Sequence, residues 1–262
     1  MKKTKIAIVI PCWKRSLILS YVFRQFDLFY KSVCDQFDII VIYVFSENDP
    51  ELKKILFHYM KSEHPRDYIY SSNELLGQKL NDGIRHAMLY KFDYMMNCGS
   101  DDFIHPNIMK LYNKMIAKNE KLFGINRLYF YKDNEDPLFF SGYNKPYVVG
   151  AGRMIHKDVI EHVLNVYGGI YRPDIHRGMD TMSSKRMHEI GYIEKTINPG
   201  KFPYVIDIKS NVNINSFDKI TNSRGDKRII ATADRHFLNR HFKILREYEQ
   251  QTCNLSAQKI IG

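Results

Sequence analysis

The sequence predicts an α/β fold in which a mostly parallel central sheet is flanked by helices. Apolar runs of strand length alternate with amphipathic runs of helix length through the first half of the chain. The strand runs are apolar at nearly every position, which is typical of strands that are buried on both faces. Clusters of polar residues follow several of these runs, at the carboxyl ends of strands, where open parallel sheets bind their ligands.

Strands and helices are predicted in strict alternation over this half. The predicted strands cover residues 5–10, 38–45, 67–70 and 94–96. The predicted helices between them cover residues 16–29, 52–60 and 75–90. Ser16 is available to cap the first helix, and Pro11 closes the first strand. This order is the pattern of parallel strands joined by helical crossovers.

The second half of the chain is less regular. Residues 129–147 are rich in aromatic and turn-forming residues, which predicts strands and an exposed loop. A tight backbone site is expected at residues 150–153, followed by helices over 157–167 and 181–190. Gly191 provides the C-terminal stop of the last of these helices.

Beyond residue 215 the pattern changes to apolar residues in steps of three to five positions, interspersed with arginine and lysine. The apolar positions are Ile230, Ala233, Phe237, Phe242, Leu245 and Tyr248, and the basic ones are Arg228, Arg235, Arg240, Lys243 and Arg246. This pattern predicts a long amphipathic helix with a basic face. We therefore expect a main domain over residues 1–215 and a basic helical C-terminal extension over residues 216–262.

The composition excludes several classes of protein. Hydrophobic residues make up 44% and charged residues 26%, which excludes a disordered or collagen-like chain. The longest apolar stretch, residues 39–45, is too short for a membrane span, which takes roughly 20 residues. Pro11 ends the N-terminal apolar run too soon for a signal peptide. We therefore expect a cytoplasmic protein without a transmembrane segment.

The net charge indicates the kind of binding partner, and the spacing of the cysteines excludes one kind of metal or redox site. The chain has 39 Lys and Arg against 29 Asp and Glu, a net charge of +10. This balance predicts an anionic partner such as nucleic acid, acidic lipid or a phosphorylated substrate. Four well-separated cysteines exclude a CxxC zinc or redox site and favour buried, reduced thiols. They are Cys12, Cys34, Cys98 and Cys253.

The clearest chemical signal is Gly99-Ser100-Asp101-Asp102, directly after a predicted strand. Adjacent carboxylates raise each other's pKa and are costly unless a cation meets them. Mg²⁺ and Mn²⁺ are suitable cations, because they take oxygen ligands and bridge phosphates. The alternative is an Asp-rich turn that caps the helix after Pro106, and both interpretations fit these residues.

Four further segments stand in order around this one. They are residues 8–15 (IVIPCWKR), 76–84 (LGQKLNDGI), 150–155 (GAGRMI) and 178–192, in which Gly-Met-Asp precedes an Arg and a Gly-Tyr pair. With these motifs the chain resembles the family-2-like glycosyltransferases with a GT-A fold, over roughly residues 5–195. In that family the first strand ends in hydrophobic-Pro-x-x-x-Arg, a helix carries Gly…Asn-x-Gly, and a DxD motif corresponds to residues 99–101.

The resemblance implies a nucleotide-sugar donor and a divalent metal, Mn²⁺ or Mg²⁺. The residues that it places at the nucleotide are Pro11, Trp13, Arg15, Glu47, Asn48, Asp49, Lys79, Asn81 and Ser100. Trp13 would face the base or ribose, and Lys79 would offer its charge to the diphosphate. Asp101, with Asp102 beside it, would hold the metal between the two phosphates.

The resemblance also implies a catalytic residue. Asp180 matches the aspartate that acts as general base on the acceptor hydroxyl, which favours transfer with inversion. An aspartate that only caps its helix would look the same in sequence. The chain departs from the family pattern at two positions: Gly99 replaces the first Asp of DxD, and Met179 replaces the Glu before the base.

Three hypotheses on function follow from the resemblance and the charge. The acceptor of a glycosyltransferase could be nucleic acid, for example a hydroxymethylated base in phage-type DNA in a bacterial or phage-infected cytoplasm. It could instead be a saccharide or lipid-linked acceptor at a membrane surface, on which the basic helix would lie. The third hypothesis is a non-catalytic nucleic-acid-binding module in which Asp101, Asp102 and Asp180 are structural.

Overall fold

A computed structural model describes residues 2–142, 147–175, 178–210, 217, 220, 229–231 and 234–261. The expected domain boundary at residues 215/216 lies outside the described residues. The strands are β1 Thr4–Pro11, β2 Phe37–Phe45, β3 Arg66–Tyr70, β4 Tyr94–Asn97, β5 Asp102–Ile104, β6 Leu122–Ile125, β7 Leu128–Tyr131, β8 Leu138–Phe140, β9 Met154–His156, β10 Lys195–Ile197, β11 Val205–Ile208 and β12 Ile229–Ala231.

The helices are α1 Ser16–Val33, α2 Leu52–Met60, α3 Leu76–Ala87, α4 Ile108–Ala117, α5 Lys157–Tyr167, α6 Met179–Glu189, α7 Arg235–His241 and α8 Lys243–Ile261. Helix α3 continues into a short 3-10 turn over Met88–Tyr90. The predicted N-cap of α1 is wrong. The residue before α1 is in the left-handed conformation and offers no side-chain cap. The Ser16 N–H instead donates to Glu51 Oε2 at 2.6 Å.

A seven-stranded sheet forms the centre of the molecule, in the order β10-β6-β9-β4-β1-β2-β3. Strand β1 is parallel to β2 and β4, and β2 is parallel to β3. Strand β9 is antiparallel to both of its neighbours, β4 and β6. The sheet is therefore mostly parallel, as the continuous apolar runs predict.

The two faces of this sheet bury separate hydrophobic clusters. Along β1 the side chains of Ile6, Ile8 and Ile10 enter one cluster, together with residues of α1, α4 and the C-terminal helices. The intervening Ala7 and Val9 enter the other, together with residues of α3, α5 and α6. Because each of residues 6–10 of β1 enters one of the two cores, this part of the strand shows no polar alternation in sequence.

A second, five-stranded sheet was not predicted and has the order β12-β8-β7-β11-β5. Its strand β5 begins at Asp102, the last residue of the Ser100-Asp101-Asp102 segment, and pairs antiparallel with β11. In this register Asp102 lies opposite Asp207. The second sheet thus brings a distant aspartate to the end of β4.

The predicted long C-terminal helix is two helices, α7 and α8, with Phe242 in extended conformation between them. Ile230 lies in β12 rather than in a helix, and Ala233 and Arg228 lie outside the described residues. The apolar side chains Leu238 of α7 and Ile244, Leu245 and Tyr248 of α8 pack into the main core, and Tyr21 of α1 meets Tyr248 edge to face at 5.6 Å. Of the predicted basic face, Arg240, Lys243 and Arg246 are exposed, whereas Arg235 is partly buried and pairs with Glu249 at 3.1 Å. Among the described helices, none has the length and hydrophobicity that a membrane span requires.

Candidate active site

A cluster of three carboxylates lies beyond the carboxyl end of β4. Asp101 and Asp102 follow β4, and Asp207 reaches them from β11. Each of the three offers an oxygen within 4.8 Å of the others. We refer to these residues as the carboxylate cluster. The sequence hypothesis found two of its members and missed the third.

Burial and mutual repulsion raise the pKa of two carboxylates of this cluster. Burial, with Asp207 and Asp101 adding to it, raises the pKa of Asp102 well above its ordinary value. Burial also raises the pKa of Asp207 to about 6, although Lys209 Nζ donates to its Oδ2 at 2.5 Å. Asp207 Oδ1 is buried and accepts no hydrogen bond from any residue that the structure describes. Three close carboxylates, one with an unused oxygen, fit a hard divalent cation.

The close packing around Gly99 explains why this position does not carry the first aspartate of a DxD motif. Its N–H donates to Asp102 Oδ2 at 2.5 Å. A Cβ at this position would lie 2.7 Å from Asp101 Oδ1 and 2.8 Å from Asp102 Oδ2. A side chain here would displace the cluster, so the third carboxylate comes from Asp207 instead. The sequence signal for Asp207 is a single acidic residue inside the β-branched run of β11.

The loop after β1 supplies a cation to the cluster. Arg15 Nη1 lies 2.9 Å from Asp101 Oδ2 and 3.3 Å from Ser100 Oγ. Lys14 and Arg15 both have positive φ, 55° and 58°, which non-glycine residues rarely adopt. The Lys14 N–H donates to Asp49 Oδ2 at 2.5 Å, which fixes this conformation. Arg15 therefore stands at the carboxylate cluster.

The acidic loop after β2 divides into two parts. Glu47 and Asn48 are exposed, whereas Asp49 is buried. Both oxygens of Asp49 accept backbone N–H groups, from Lys14 and from Glu51. The structure thus places Asp49 as a support of the β1 loop.

Lys79 does not face a diphosphate site in this structure. Its side chain is 1% exposed, and Nζ donates to Cys12 O at 2.5 Å and Ser46 Oγ at 2.6 Å, with Asn73 Oδ1 at 3.1 Å. It thereby joins the ends of β1 and β2 to the segment before α3. The partly exposed ring of Trp13 lies in front of it, 5.9 Å from Nζ.

The buried ammonium gives a pH-dependent stability. Burial lowers the pKa of Lys79 from its ordinary 10.5 to about 8, opposed by the neighbouring Cys12 and Asp49. Between these values the unfolded chain holds a proton that the folded chain has released, so this residue adds stability as the pH rises from 8 to 10.5. Relative to Lys79→Met, the wild type should gain about 3 kcal/mol of unfolding free energy over that window.

Urea denaturation of both proteins at pH 7.5 and pH 10.5 measures this gain, provided that both fold at each pH. Exposed Lys53→Met is the matched control and should show no pH-dependent difference from the wild type. A constant difference between Lys79→Met and the wild type would contradict the interpretation.

Asn81 was expected at the nucleotide, but its buried side chain binds the backbone of Tyr171 instead. Its Nδ2 donates to Tyr171 O at 2.8 Å, and its Oδ1 accepts the Tyr171 N–H at 3.1 Å. Asn97 Nδ2 donates to the hydroxyl of the same tyrosine at 2.7 Å. These bonds fix the segment that leads into α6. Asn81 therefore supports the Asp180 side of the site and does not point at a nucleotide.

Asp180 is not the N-cap of its helix. Gly178, with φ of 69°, holds that position without a side-chain cap. The Asp180 carboxylate lies over Gly150, where a Cβ would come within 2.2 Å of both of its oxygens. The tight backbone at residues 150–153 therefore makes room for this carboxylate. Among the residues that the structure describes, none caps or pairs with this carboxylate, which leaves Asp180 available to a ligand.

A buried ion pair fixes the helix behind Asp180. Arg153 Nε lies 3.3 Å from Glu194 Oε1, and the two side chains are 1% and 0% exposed. Arg153 Nη1 donates to Ser183 Oγ at 2.7 Å, and Ser184 Oγ donates to Glu194 Oε1 at 2.9 Å. The pair ties α6 to the strands of the central sheet.

Asp102 and Asp180 line one cavity of about 190 Å³. Its other lining residues are Val9, Pro11, Leu76, Leu80, Ile84, Met95, Asn97, Cys98, Gly99, Gly150, Ala151, Tyr171 and Met179. The cavity connects the carboxylate cluster to Asp180. It places the carboxylate cluster and the Asp180 carboxylate around one shared space.

No protein-family model matches the chain, and no curated protein matches it in sequence. Residues 1–349 of TarS from S. aureus match in structure with a TM-score of 0.56 and 11% identity, over 78% of this chain and 60% of that one. The mannosyltransferase PcManGT from Pyrobaculum calidifontis, in complex with GDP-Man and Mn²⁺, matches with a TM-score of 0.55 and 11% identity, over 80% and 57%. The chain thus spans less than two thirds of these structures. The likeness confirms the predicted GT-A fold.

Proposed function

We propose that this protein is a glycosyltransferase that moves a sugar from a nucleotide-diphosphate sugar to an acceptor hydroxyl. The observation that carries the proposal is the shared cavity of Asp102 and Asp180, which joins an acidic candidate cation site to the Asp180 carboxylate. The complex of PcManGT with GDP-Man and Mn²⁺ supports the same donor class and the same kind of ion.

Asp101, Asp102 and Asp207 are the residues that would hold Mn²⁺ or Mg²⁺. The ion, when bound, supplies positive charge that stabilises the departing diphosphate. Arg15, which contacts Asp101, stands where it can add a second positive charge. Partly exposed Pro11 and Trp13 border the nucleotide in this proposal, with Ser100 behind them and Glu47 and Asn48 at the rim.

Asp180 acts as the general base. It accepts the proton of the acceptor hydroxyl as that oxygen bonds to the anomeric carbon of the sugar. The bond between this carbon and the phosphate oxygen breaks, and its electron pair leaves with the nucleoside diphosphate. One base and one displacement give inversion at the anomeric carbon.

The test is Mn²⁺-dependent turnover of a panel of UDP-, GDP-, CDP- and dTDP-sugars, read as release of the nucleoside diphosphate. Asp207→Asn should lower apparent Mn²⁺ affinity by at least tenfold, because it removes one of three carboxylates. Asp38→Asn is the control and should not change the Mn²⁺ affinity, because Asp38 is exposed at the amino end of β2, away from the carboxyl edge of the sheet. Absence of both binding and turnover across the panel would falsify the proposal.

For the acceptor we propose an anionic polymer, with hydroxymethylated duplex DNA as the specific candidate. Arg240, Lys243 and Arg246 are exposed on α7 and α8 and give this side of the molecule positive charge. The membrane alternative is less favoured, because the apolar side chains from Leu238 to Tyr248 on these helices pack in the protein core. A duplex acceptor also requires the target base to be extruded.

Binding to such DNA should depend steeply on salt. Three phosphate contacts give a slope of about −2.7 in a plot of log K against log salt, or roughly 40-fold weaker binding between 50 and 200 mM salt. The triple variant Arg240→Ala/Lys243→Ala/Arg246→Ala should lose most of this slope. Lys53→Ala/Lys54→Ala on α2 is the matched control and should keep it. DNA binding that does not change with salt concentration would contradict the DNA acceptor. Salt-dependent DNA binding without any sugar transfer would support the hypothesis of a non-catalytic nucleic-acid-binding module.

A further inference from the structure

The cavity beside Asp180 runs downward between α3 and the central sheet. Helix α3 joins parallel strands and therefore runs antiparallel to them, starting at their carboxyl edge. Its residues Leu76, Leu80 and Ile84 line the cavity at successive turns. Eight residues of helix rise about 12 Å, so the cavity extends well below the edge of the sheet.

The inner end of this cavity is lined by buried apolar side chains. Val9, Ile84 and Met95 line it and are 2%, 1% and 0% exposed. They belong to the hydrophobic cluster on the α3 face of the sheet. In the β1–β4 register Met95 lies two residues below Asn97, toward the amino end of the strand. The inner end therefore offers methyl and methylene groups to whatever enters it.

The mouth of the cavity is polar. Asn97, Asp102 and Asp180 line it at the carboxyl edge of the sheet. A group in the cavity therefore lies beside both Asp102 of the carboxylate cluster and Asp180. Because the cavity has a volume of only about 190 Å³ and its inner lining is buried, it suits a short substituent rather than an extended acceptor.

We propose that the transferred sugar carries a methyl-bearing substituent, an N-acetyl group or a 6-deoxy methyl, and that this substituent occupies the apolar inner end. The inference rests on the proposed function and names the substrate class of that site. A hydroxyl placed there would lose its water without gaining a partner from Val9, Ile84 or Met95. A methyl group there gains burial instead, which selects the substituted sugar by roughly 10- to 200-fold in kcat/KM.

The experiment compares donors that differ in one substituent on the same nucleotide. UDP-glucose is measured against UDP-N-acetylglucosamine and against UDP-6-deoxyglucose, with the corresponding pairs on GDP and dTDP. The expected result is a preference of at least tenfold for one substituted donor, and the arm that shows it identifies the substituent. Equal or better turnover of the fully hydroxylated donor would overturn the inference while leaving the proposed function intact. Absence of turnover of every donor would instead reject the proposed function, and with it this inference.

A variant pair ties the preference to the cavity. Leu80→Phe, on a partly buried position of the lining, should reduce the preference to below threefold by filling the space. Leu89→Phe, on a side chain that is 72% exposed just after α3, should keep the full preference. Circular dichroism and thermal melting establish that both variants fold. If Leu80→Phe folds and retains the full preference, the substituent does not bind here.

Discussion

Asp180→Asn is expected to lower kcat by about 10²- to 10⁴-fold with little change in donor affinity. The amide has the shape of the carboxylate and can keep its place over Gly150, but it cannot accept the proton of the acceptor hydroxyl. Donor binding depends on the carboxylate cluster and is therefore retained. Steady-state kinetics with a saturating acceptor, together with calorimetric titration of the nucleoside diphosphate, separate the two effects.

Asp158→Asn is the matched control for this substitution. Asp158 is the second residue of α5, as Asp180 is of α6, and it pairs with Lys121 at the surface. It should leave kcat unchanged. If Asp180→Asn folded and kept more than a tenth of the wild-type kcat, the base would have to be another residue.

Arg153→Met is expected to destabilise the fold by about 3–5 kcal/mol, because it leaves the Glu194 carboxylate buried without its cation. The loss of the Ser183 hydrogen bond acts in the same direction. The double variant Arg153→Met/Glu194→Leu should recover much of the loss, since it removes both charges and fills the space with apolar atoms. Urea denaturation at neutral pH measures the three proteins.

The exposed pair of Arg172 and Asp174 provides the comparison. Its side chains are 43% and 58% exposed, so water screens the charges whether or not the pair forms. Arg172→Met should therefore leave the midpoint of denaturation nearly unchanged. A similar midpoint for Arg153→Met would mean that the buried pair does not hold α6 in place.

The central sheet could be predicted because its physical cause is local. Strands β1, β2 and β4 are buried on both faces over most of their length, so each carries a continuous apolar run, and the helices between show their own period. The second sheet could not be predicted in this way. Strand β5 has three residues and begins with a buried aspartate, and its pairing with β11 joins segments that are far apart in sequence.

The same distinction applies to the candidate site. Asp101 and Asp102 could be proposed because they follow a strand, whereas Asp207 is one acidic residue within a strand and becomes significant only through its partner. Lys79 and Asn81 were placed at the nucleotide by resemblance, but both are buried and bond to backbone or core groups. Sequence position puts a polar residue near a site, and only the packing decides which way it faces.

The pairing of β5 with β11 has a consequence for synthesis on the ribosome. The first four strands leave the ribosome early and contain the groups that form the floor of the cavity, but Asp207 is made much later. Until β11 adds to β5, a nascent chain has only two of the three carboxylates and leaves Asp102 without its cross-strand neighbour. If the cluster holds an ion as proposed, binding must wait until β11 has been made, and a chain truncated before β11 should bind Mn²⁺ no better than its surface carboxylates do.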